Sequence, residues 1–233
     1  MKQRYMPPTK CISVIIPCYN EEKVIRDNYY LISNFLDKYR FSYEIIYIND
    51  GSTDKTLEKL RSIDKNFNGV NIISYKKNVG KGYAVFRGLC ESNFKTKLIL
   101  DADLSVSITE LFKLNWNWVI NQPVIKGQRV QVIRQPFYRI LLGKAWKLIT
   151  YYYTGLYMDT QCPFMILNLD DAFYWCLGVK GFAFDVEILA KAKKEGHHIN
   201  MVTVEYLNNE DSSVSFGKMI KMFLDLRNIK KKI

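Results

Sequence analysis

Apolar and polar positions alternate between two rhythms along the first part of the chain. β-Branched runs at Cys11–Ile16, Tyr43–Asn49, Val70–Tyr75 and Thr96–Leu100 predict strands. Between them, Glu21–Lys38, the stretch after Gly51-Ser52-Thr53-Asp54 to about Asn66, and Gly80–Glu91 predict helices. This βα alternation predicts an α/β fold with a doubly wound, mostly parallel sheet flanked by helices. After Asp103 the rhythm loosens into longer, more aromatic helices, and Cys162–Asn168 and Ile199–Leu207 are the clearest later strands. No repeat or low-complexity linker interrupts the chain. The expectation is one domain over 1–233, with a nucleotide-binding half over about 10–104 and an acceptor half over about 105–233.

The fourth predicted strand runs into Asp101-Ala102-Asp103-Leu104. Alternate residues of a strand point the same way, so both carboxylates are expected to leave the carboxyl edge of the sheet together. Open α/β sheets bind ligands at that edge. Two carboxylates at one exit suit a hard divalent cation, Mg²⁺ or Mn²⁺, which bridges carboxylates to substrate phosphates. The competing reading is a solvated turn with two capping acids.

Three further motifs sit at equivalent places. In Val14-Ile15-Ile16-Pro17-Cys18-Tyr19-Asn20-Glu21-Glu22, Pro17 is expected to stop the strand pairing and Asn20 to cap the next helix. Tyr19 could lie against a planar base. In Asn49-Asp50-Gly51-Ser52-Thr53-Asp54, Asp50 ends a strand, where a carboxylate can accept from ribose hydroxyls or a base N–H. Ser52, Thr53 and Asp54 are ordinary caps. Asn78-Val79-Gly80-Lys81-Gly82 resembles a phosphate-binding turn but lacks the Walker pattern.

Charge changes the picture for the second half. The chain has 34 Lys and Arg against 23 Asp and Glu, a net +11. No acidic residue occurs from Leu111 to Met158, a stretch holding Lys113, Lys126, Arg129, Arg134, Arg139, Lys144 and Lys147. Lys218–Ile233 carries six basic residues against Asp225 alone. Both segments favour anions such as nucleotide or lipid phosphates and anionic membranes. A nucleic acid is not expected, because no RNA- or DNA-reading motif accompanies the charge. Five Cys without metal or redox spacing, and no apolar leader in the first ten residues, point to a cytosol-facing protein. Leu148–Met158 is uncharged but too short to span a bilayer, so any membrane contact is expected to be peripheral.

Taken together, Pro17-Cys18-Tyr19-Asn20-Glu21, Asn49 to Asp54, Asn78 to Gly82 and Asp101-Ala102-Asp103 resemble the family 2 inverting glycosyltransferases of GT-A fold. Within that family, Lys126-Gly127-Gln128-Arg129, Asp159-Thr160-Gln161-Cys162-Pro163-Phe164 and Phe182-Ala183-Phe184-Asp185-Val186-Glu187 resemble the polyprenyl-phosphate sugar transferases. The resemblance implies transfer of a hexose, most readily glucose, from a UDP-sugar to a polyprenyl or dolichyl phosphate. It implies that Pro17, Tyr19, Glu21, Asp50, Lys81 and Asp101 hold the nucleotide-sugar, and that Asp101 and Asp103 bind Mg²⁺ or Mn²⁺. Arg129 would reach a phosphate, and Asp159 and Gln161 would line the acceptor side; Asp103, Asp159 and Arg129 are the implied catalytic residues. There are departures: Gln128 and Pro163 replace a Ser and a Gly of the family pattern, and Ser212-Ser213-Val214-Ser215 lacks a basic residue found there.

The chemistry is consistent with the charge. An acceptor phosphate has a second pKa of about 6 and needs little help from a base, whereas a hydroxyl acceptor would need one. Asp185 and Glu187 either cap a helix or supply that base; His197 and His198 read as a turn. A helix from Phe137 to Tyr153 would place Arg139, Gly143, Lys147 and Thr150 on one stripe and Leu141, Ala145, Leu148 and Tyr152 opposite. It is either a membrane-surface helix, with Arg139 as a further phosphate contact, or a core helix with a solvated basic face. Phe216, Ile220, Phe223, Leu226 and Ile229 are expected to pack on the sheet, leaving Lys230, Lys231 and Lys232 for anionic lipid or solubility. Two other functions remain at this point: a same-fold transferase with a soluble or protein-linked sugar acceptor, and a non-catalytic nucleotide- or nucleic-acid-binding protein.

Overall fold

A computed structural model of the chain describes residues 10–64, 69–131, 137–174, 177–207 and 216–232. The elements run β1 (Lys10–Cys18), α1 (Ile25–Lys38), β2 (Phe41–Asp50), α2 (Thr56–Asp64), β3 (Val70–Tyr75), α3 (Lys81–Glu91) and β4 (Lys97–Leu100). A 3₁₀ turn at Ile108–Lys113 leads to α4 (Trp116–Val119), β5 (Val124–Gln131), α5 (Phe137–Thr154) and β6 (Phe164–Leu167). The chain ends with α6 (Asp171–Tyr174), α7 (Phe184–Lys194), β7 (Ile199–Tyr206) and α8 (Phe216–Lys232). The end of the helix expected to reach Asn66 lies outside the described residues.

Seven strands form one sheet in the order β3-β2-β1-β4-β6-β5-β7. Only β6 is reversed; it pairs antiparallel with β4 and β5, while β5 and β7 pair parallel. Both halves of the chain therefore share one sheet. Ile12 to Ile16 of β1 and Ile45 to Ile48 of β2 are fully or nearly fully buried, as strands covered on both faces must be. One apolar cluster packs α1 and α2 on one face. The other packs α3, α7 and the buried side of α8.

Pro17 does not stop the pairing. β1 stays in register with β2 through Pro17↔Ile48 and Cys18↔Asn49. Ser13 N–H donates to Thr96 O across the β4 side. Strand alternation puts the Pro17 nitrogen on that same side, and the β1–β4 ladder ends below it at Ile15↔Ile99. The missing donor falls where nothing asks for one.

The first helix begins at Ile25 rather than Glu21, because Glu21 O is used first in a turn that takes the Val24 and Ile25 amides. Asn20 does not cap it. Its backbone stands at φ 59°, and its Oδ1 accepts from Thr53 N–H at 2.8 Å. Glu21 N–H donates to Thr56 Oγ1, and Glu22 Oε2 accepts from Lys55 N–H. These polar residues lock the loop after β1 onto the loop after β2. Gly51 makes the neighbouring close approach possible: at φ 68°, a Cβ there would lie 2.5 Å from the Asn78 nitrogen.

Candidate active site

The strand order reverses its winding at β1, with β2 and β3 on one side and β4 on the other, so the carboxyl ends of β1 and β4 are the switch point at which open α/β sheets bind ligands. Tyr19 and Glu21 leave β1 there, and Asp101 and Asp103 follow β4. Pro17 is buried at this edge, and Tyr19 is half exposed. The reversed β6 brings its own amino end to this same edge. That is why Asp159–Cys162, which precede it, meet Gly127–Arg129 of β5.

The two acids after β4 converge by a turn rather than by strand alternation. β4 ends at Leu100, and Leu104 N–H donates back to Asp101 O at 3.1 Å. Leu104 is held at φ 48°, an uncommon conformation for a branched side chain, and is buried. Asp103 Oδ1 accepts from Ser105 N–H at 2.9 Å, and Asn28 of α1 pins the turn by donating to Ala102 O at 2.7 Å. Lys81, the first residue of α3, places Nζ 2.5 Å from Asp101 Oδ1. Glu21 faces the same cluster. Burial, then the charges of Asp103 and Asp101, push its carboxyl up to about 7, with Lys81 opposing them. Three acids gathered at one exit are short of positive charge.

Among the described residues no three His, Cys, Asp or Glu side chains already form a closed metal cage. Asp101 and Asp103 nevertheless fit Mg²⁺ or Mn²⁺. They are hard oxygen donors on a fixed turn, and such ions take one or two carboxylates and fill their remaining positions with water and substrate phosphate.

Asp50 is almost fully buried, and its two oxygens accept from Val79 N–H at 2.7 Å and Gly80 N–H at 2.9 Å. It holds the Asn78–Gly82 turn, which starts α3 and aims Lys81. Gly80, at φ 120°, lies against Lys180 O so closely that a side chain would clash.

Between β5 and the loop before β6, Arg129 and Asp159 form a two-pronged pair, Nε to Oδ2 at 2.7 Å and Nη2 to Oδ1 at 2.9 Å. Tyr206 lies beneath the guanidinium at 5.2 Å. Burial alone would raise the Asp159 carboxyl, but Arg129 holds it below the usual carboxylate range. A carboxylate so stabilised is a poor base. Gln161 donates its backbone amide to Asp159 Oδ1, and its side chain reaches Met222 of α8. The side chain of Arg139 lies outside those described.

Lys126 was not expected as a site residue. Its side chain is fully buried, and Nζ donates to Cys162 O at 2.6 Å and to Asp185 Oδ2 at 3.1 Å. The signal available in the sequence was a cation inside the apolar run Val124-Ile125, followed by Gly127. Glu187 accepts from the Gly178 and Val179 amides and so orients the start of α7.

On α5 the stripe opposite the basic one is the outward-facing one, and of the expected basic stripe Thr150 turns inward while Gly143 is exposed. Thr150 is 0% exposed, whereas Leu148 and Tyr152 are 60% and 72% exposed. Trp146 donates its indole N–H to Thr160 Oγ1 at 3.1 Å, and the Trp146–Thr150 side faces the protein. Leu141, Leu142, Tyr151 and the nearby Tyr157 are also exposed, joined by Phe223 and Leu224 of α8. Lys230 covers the Tyr152 ring at 4.7 Å. Phe223 thus faces outward, while Leu226 and Ile229 are buried as expected. α8 packs mainly on α5 and α7 rather than on the sheet. Phe216 and Ile220 have no described side chains. No described helix is long and apolar enough to cross a membrane.

This fold and this edge belong to nucleotide-sugar transferases of GT-A type. The family described as Glycosyl transferase family 2 matches residues 13–166, and the chain belongs to it: it is a hexosyltransferase. Among relatives, a protein named dolichyl-phosphate beta-glucosyltransferase from Dictyostelium discoideum is 30% identical over 244 residues, covering 94% of this chain and 73% of that protein. The Mus musculus protein of the same name is 29% identical over 242 residues, covering 94% and 74%. Among solved structures, glucosyl-3-phosphoglycerate synthase from Mycobacterium tuberculosis, in complex with Mn²⁺, UDP-glucose and phosphoglyceric acid, has a TM-score of 0.69. It is 16% identical and covers 96% of this chain and 79% of that one, a likeness of fold.

Proposed function

We propose that the chain transfers glucose from UDP-glucose to a membrane-borne polyprenyl phosphate of the dolichyl type, with inversion at the anomeric carbon. The observation that carries the acceptor is the outward-facing apolar and aromatic surface of α5 and α8, edged by Lys144, Lys230 and Lys231. Contiguous apolar surface of this kind marks an interaction site, and a basic rim suits anionic headgroups. Trp146 joins that helix directly to Thr160 beside Asp159 and Gln161, so a lipid lying on α5 has its phosphate near the reacting centre. The names of the relatives point to the same acceptor and sugar.

In this reading Asp101 and Asp103 hold Mg²⁺ or Mn²⁺, which neutralises the leaving diphosphate when bound. Pro17, Tyr19, Glu21 and Lys81 line the nucleotide crevice, and Asp50 keeps Lys81 in place. Arg129 has five N–H donors and gives two to Asp159, so the others remain for the acceptor phosphate. A phosphate oxygen of the acceptor attacks the anomeric carbon from the face opposite the diphosphate; the new C–O bond forms as the old one breaks and UDP leaves. The acceptor is already dianionic, so the depressed basicity of Asp159 is no handicap. The test is a matrix of donors and acceptors with Mn²⁺. UDP-glucose with a prenyl phosphate should give a β-linked product by anomeric proton coupling. An α-linked product, or transfer only to free sugars, would overturn the reading.

A further inference from the structure

The donor-side carboxylates already hold a cation that belongs to the chain. Lys81 Nζ and Asp101 Oδ1 stand 2.5 Å apart, with side chains 24% and 26% exposed. Asp185, on α7, does not pair with Lys81, but its charge favours the ammonium, as does that of Asp103. Asp185 in turn is paired with the fully buried Lys126, which also donates to the Cys162 carbonyl next to the acceptor loop. Acids and ammoniums thus alternate from the donor turn to the acceptor side: Asp101, Lys81, Asp185, Lys126.

The backbone of Lys81 is clamped on both sides. Gly80 N–H is held by Asp50, and Gly82 N–H donates to Lys180 O at 2.9 Å. A lysine stem has four rotatable bonds, so a change of partner from Asp101 to Asp185 requires side-chain rotation only and no movement of α3. An ammonium and a divalent cation cannot both sit on the same carboxylate oxygen without strong repulsion.

We propose that Lys81 is a resident counter-ion of the Asp101–Asp103 turn, displaced toward Asp185 when a nucleotide-sugar brings a divalent cation to the turn. This rests on the metal-binding reading of those two acids. In the ligand-free protein Lys81 offsets part of the negative charge and holds the Asp101 carboxylate in position, so the turn binds a bare cation poorly. The diphosphate of the donor adds negative charge and tips the balance. Cation and nucleotide then bind together, and Asp185 offers the released ammonium a second partner.

The experiment titrates Mn²⁺ alone into the full chain and reads free Mn²⁺ by electron paramagnetic resonance, then repeats it with UDP present. Ligand-free wild type should bind weakly. Lys81→Met should bind Mn²⁺ tighter by about tenfold or more, because one opposing charge is gone. Lys81→Arg should behave as wild type, and Asp185→Asn should bind more weakly. The Asp185→Asn effect should shrink in a Lys81→Met background, since the carboxylate acts through the ammonium. Folding is checked by circular dichroism, with Lys81→Gln as the second neutral variant. Unchanged or weaker Mn²⁺ binding by folded Lys81→Met and Lys81→Gln would overturn the proposal; if wild type still binds Mn²⁺ with UDP, the metal reading stands without it. Absence of Mn²⁺ binding in every variant, UDP included, would overturn both.

Discussion

At the carboxyl ends of β2 and β4, Asp50 and Asp103 are tied down by backbone amides, from Val79, Gly80 and Ser105. Around β5, Arg129 is tied to Asp159 in the loop before β6, and Lys126 to Asp185 at the start of α7. The first arrangement fixes carboxylates through the local geometry of turns and leaves the site negative, ready for a cation and a nucleotide. The second balances each charge with a partner brought from far along the chain, which suits the proposed role of meeting an acceptor phosphate without a mobile base. The β1–β4 edge is also polar, whereas α5 and α8 present an exposed apolar face.

The largest effect should come from the donor turn. Asp103→Ala should lower transfer by about a thousandfold or more, because it removes a proposed ligand of the cation that would offset leaving-group charge. Urea unfolding should show a loss of only about 1 kcal/mol, for the Ser105 hydrogen bond. Near-normal turnover would remove Asp103 from the chemistry.

The acceptor half should respond in the opposite balance. Asp159→Asn leaves the Arg129 guanidinium without its counter-charge and should cost about 3 kcal/mol in urea unfolding. Arg129→Met together with Asp159→Leu should recover much of that stability while transfer stays lost. Recovered activity in the double variant would show that the pair only supports the fold.

A smaller, pH-dependent effect separates the halves further. The Glu21 carboxyl is raised from an ordinary 4.5 to about 7 by burial and by Asp103 and Asp101. The folded state therefore holds more protons than the unfolded state between those values, and stability falls as pH rises through that window. In metal-free buffer, Glu21→Gln should flatten this slope and stabilise the protein at pH 8 by about 1 kcal/mol, discounted for partial exposure. Below pH 4.5 the two proteins should converge. A wild-type stability curve that is flat or rising from pH 5 to 8 would contradict the assignment. The smallest effect belongs to the rim. Replacing Lys230, Lys231 and Lys232 by Ser should weaken sedimentation with anionic vesicles by about 1 kcal/mol per residue, more at low salt. Transfer to a water-soluble prenyl phosphate should barely change.

The donor half was largely legible in the sequence, and the reasons are local. β-Branched runs such as Ile12–Ile16 and Ile45–Ile48 are strands wherever they pack, and Asp50, Gly51 and Gly80 occupy positions that turn chemistry demands. The acceptor half was less legible because its logic is tertiary. β5 was missed because only Val124 and Ile125 open it before Lys126, Gly127, Gln128 and Arg129. The partner that makes Lys126 tolerable in the core is Asp185, on another element. On α5 the periodicity identified two faces but not which of them turns inward; Trp146, Ile149 and Tyr153 pack against the buried cluster, and the Trp146 indole adds a hydrogen bond to Thr160. The Asp101–Asp103 convergence was anticipated with the wrong cause, since a turn with Leu104 at positive φ produces it rather than the strand.

The central claim is that an ordinary nucleotide-sugar edge has been joined to an acceptor face shaped for lipid. One competition measures it most directly: dolichyl phosphate in anionic vesicles and 3-phosphoglycerate in solution, at equal concentration, share one supply of labelled UDP-glucose with Mn²⁺. The account predicts label almost wholly in the lipid, and, when Leu148 and Tyr152 are replaced by Ser, a fall in lipid labelling with no gain in the amount of labelled phosphoglycerate. Faster labelling of phosphoglycerate by the wild-type chain, or lipid labelling unaffected by those two replacements, would contradict it.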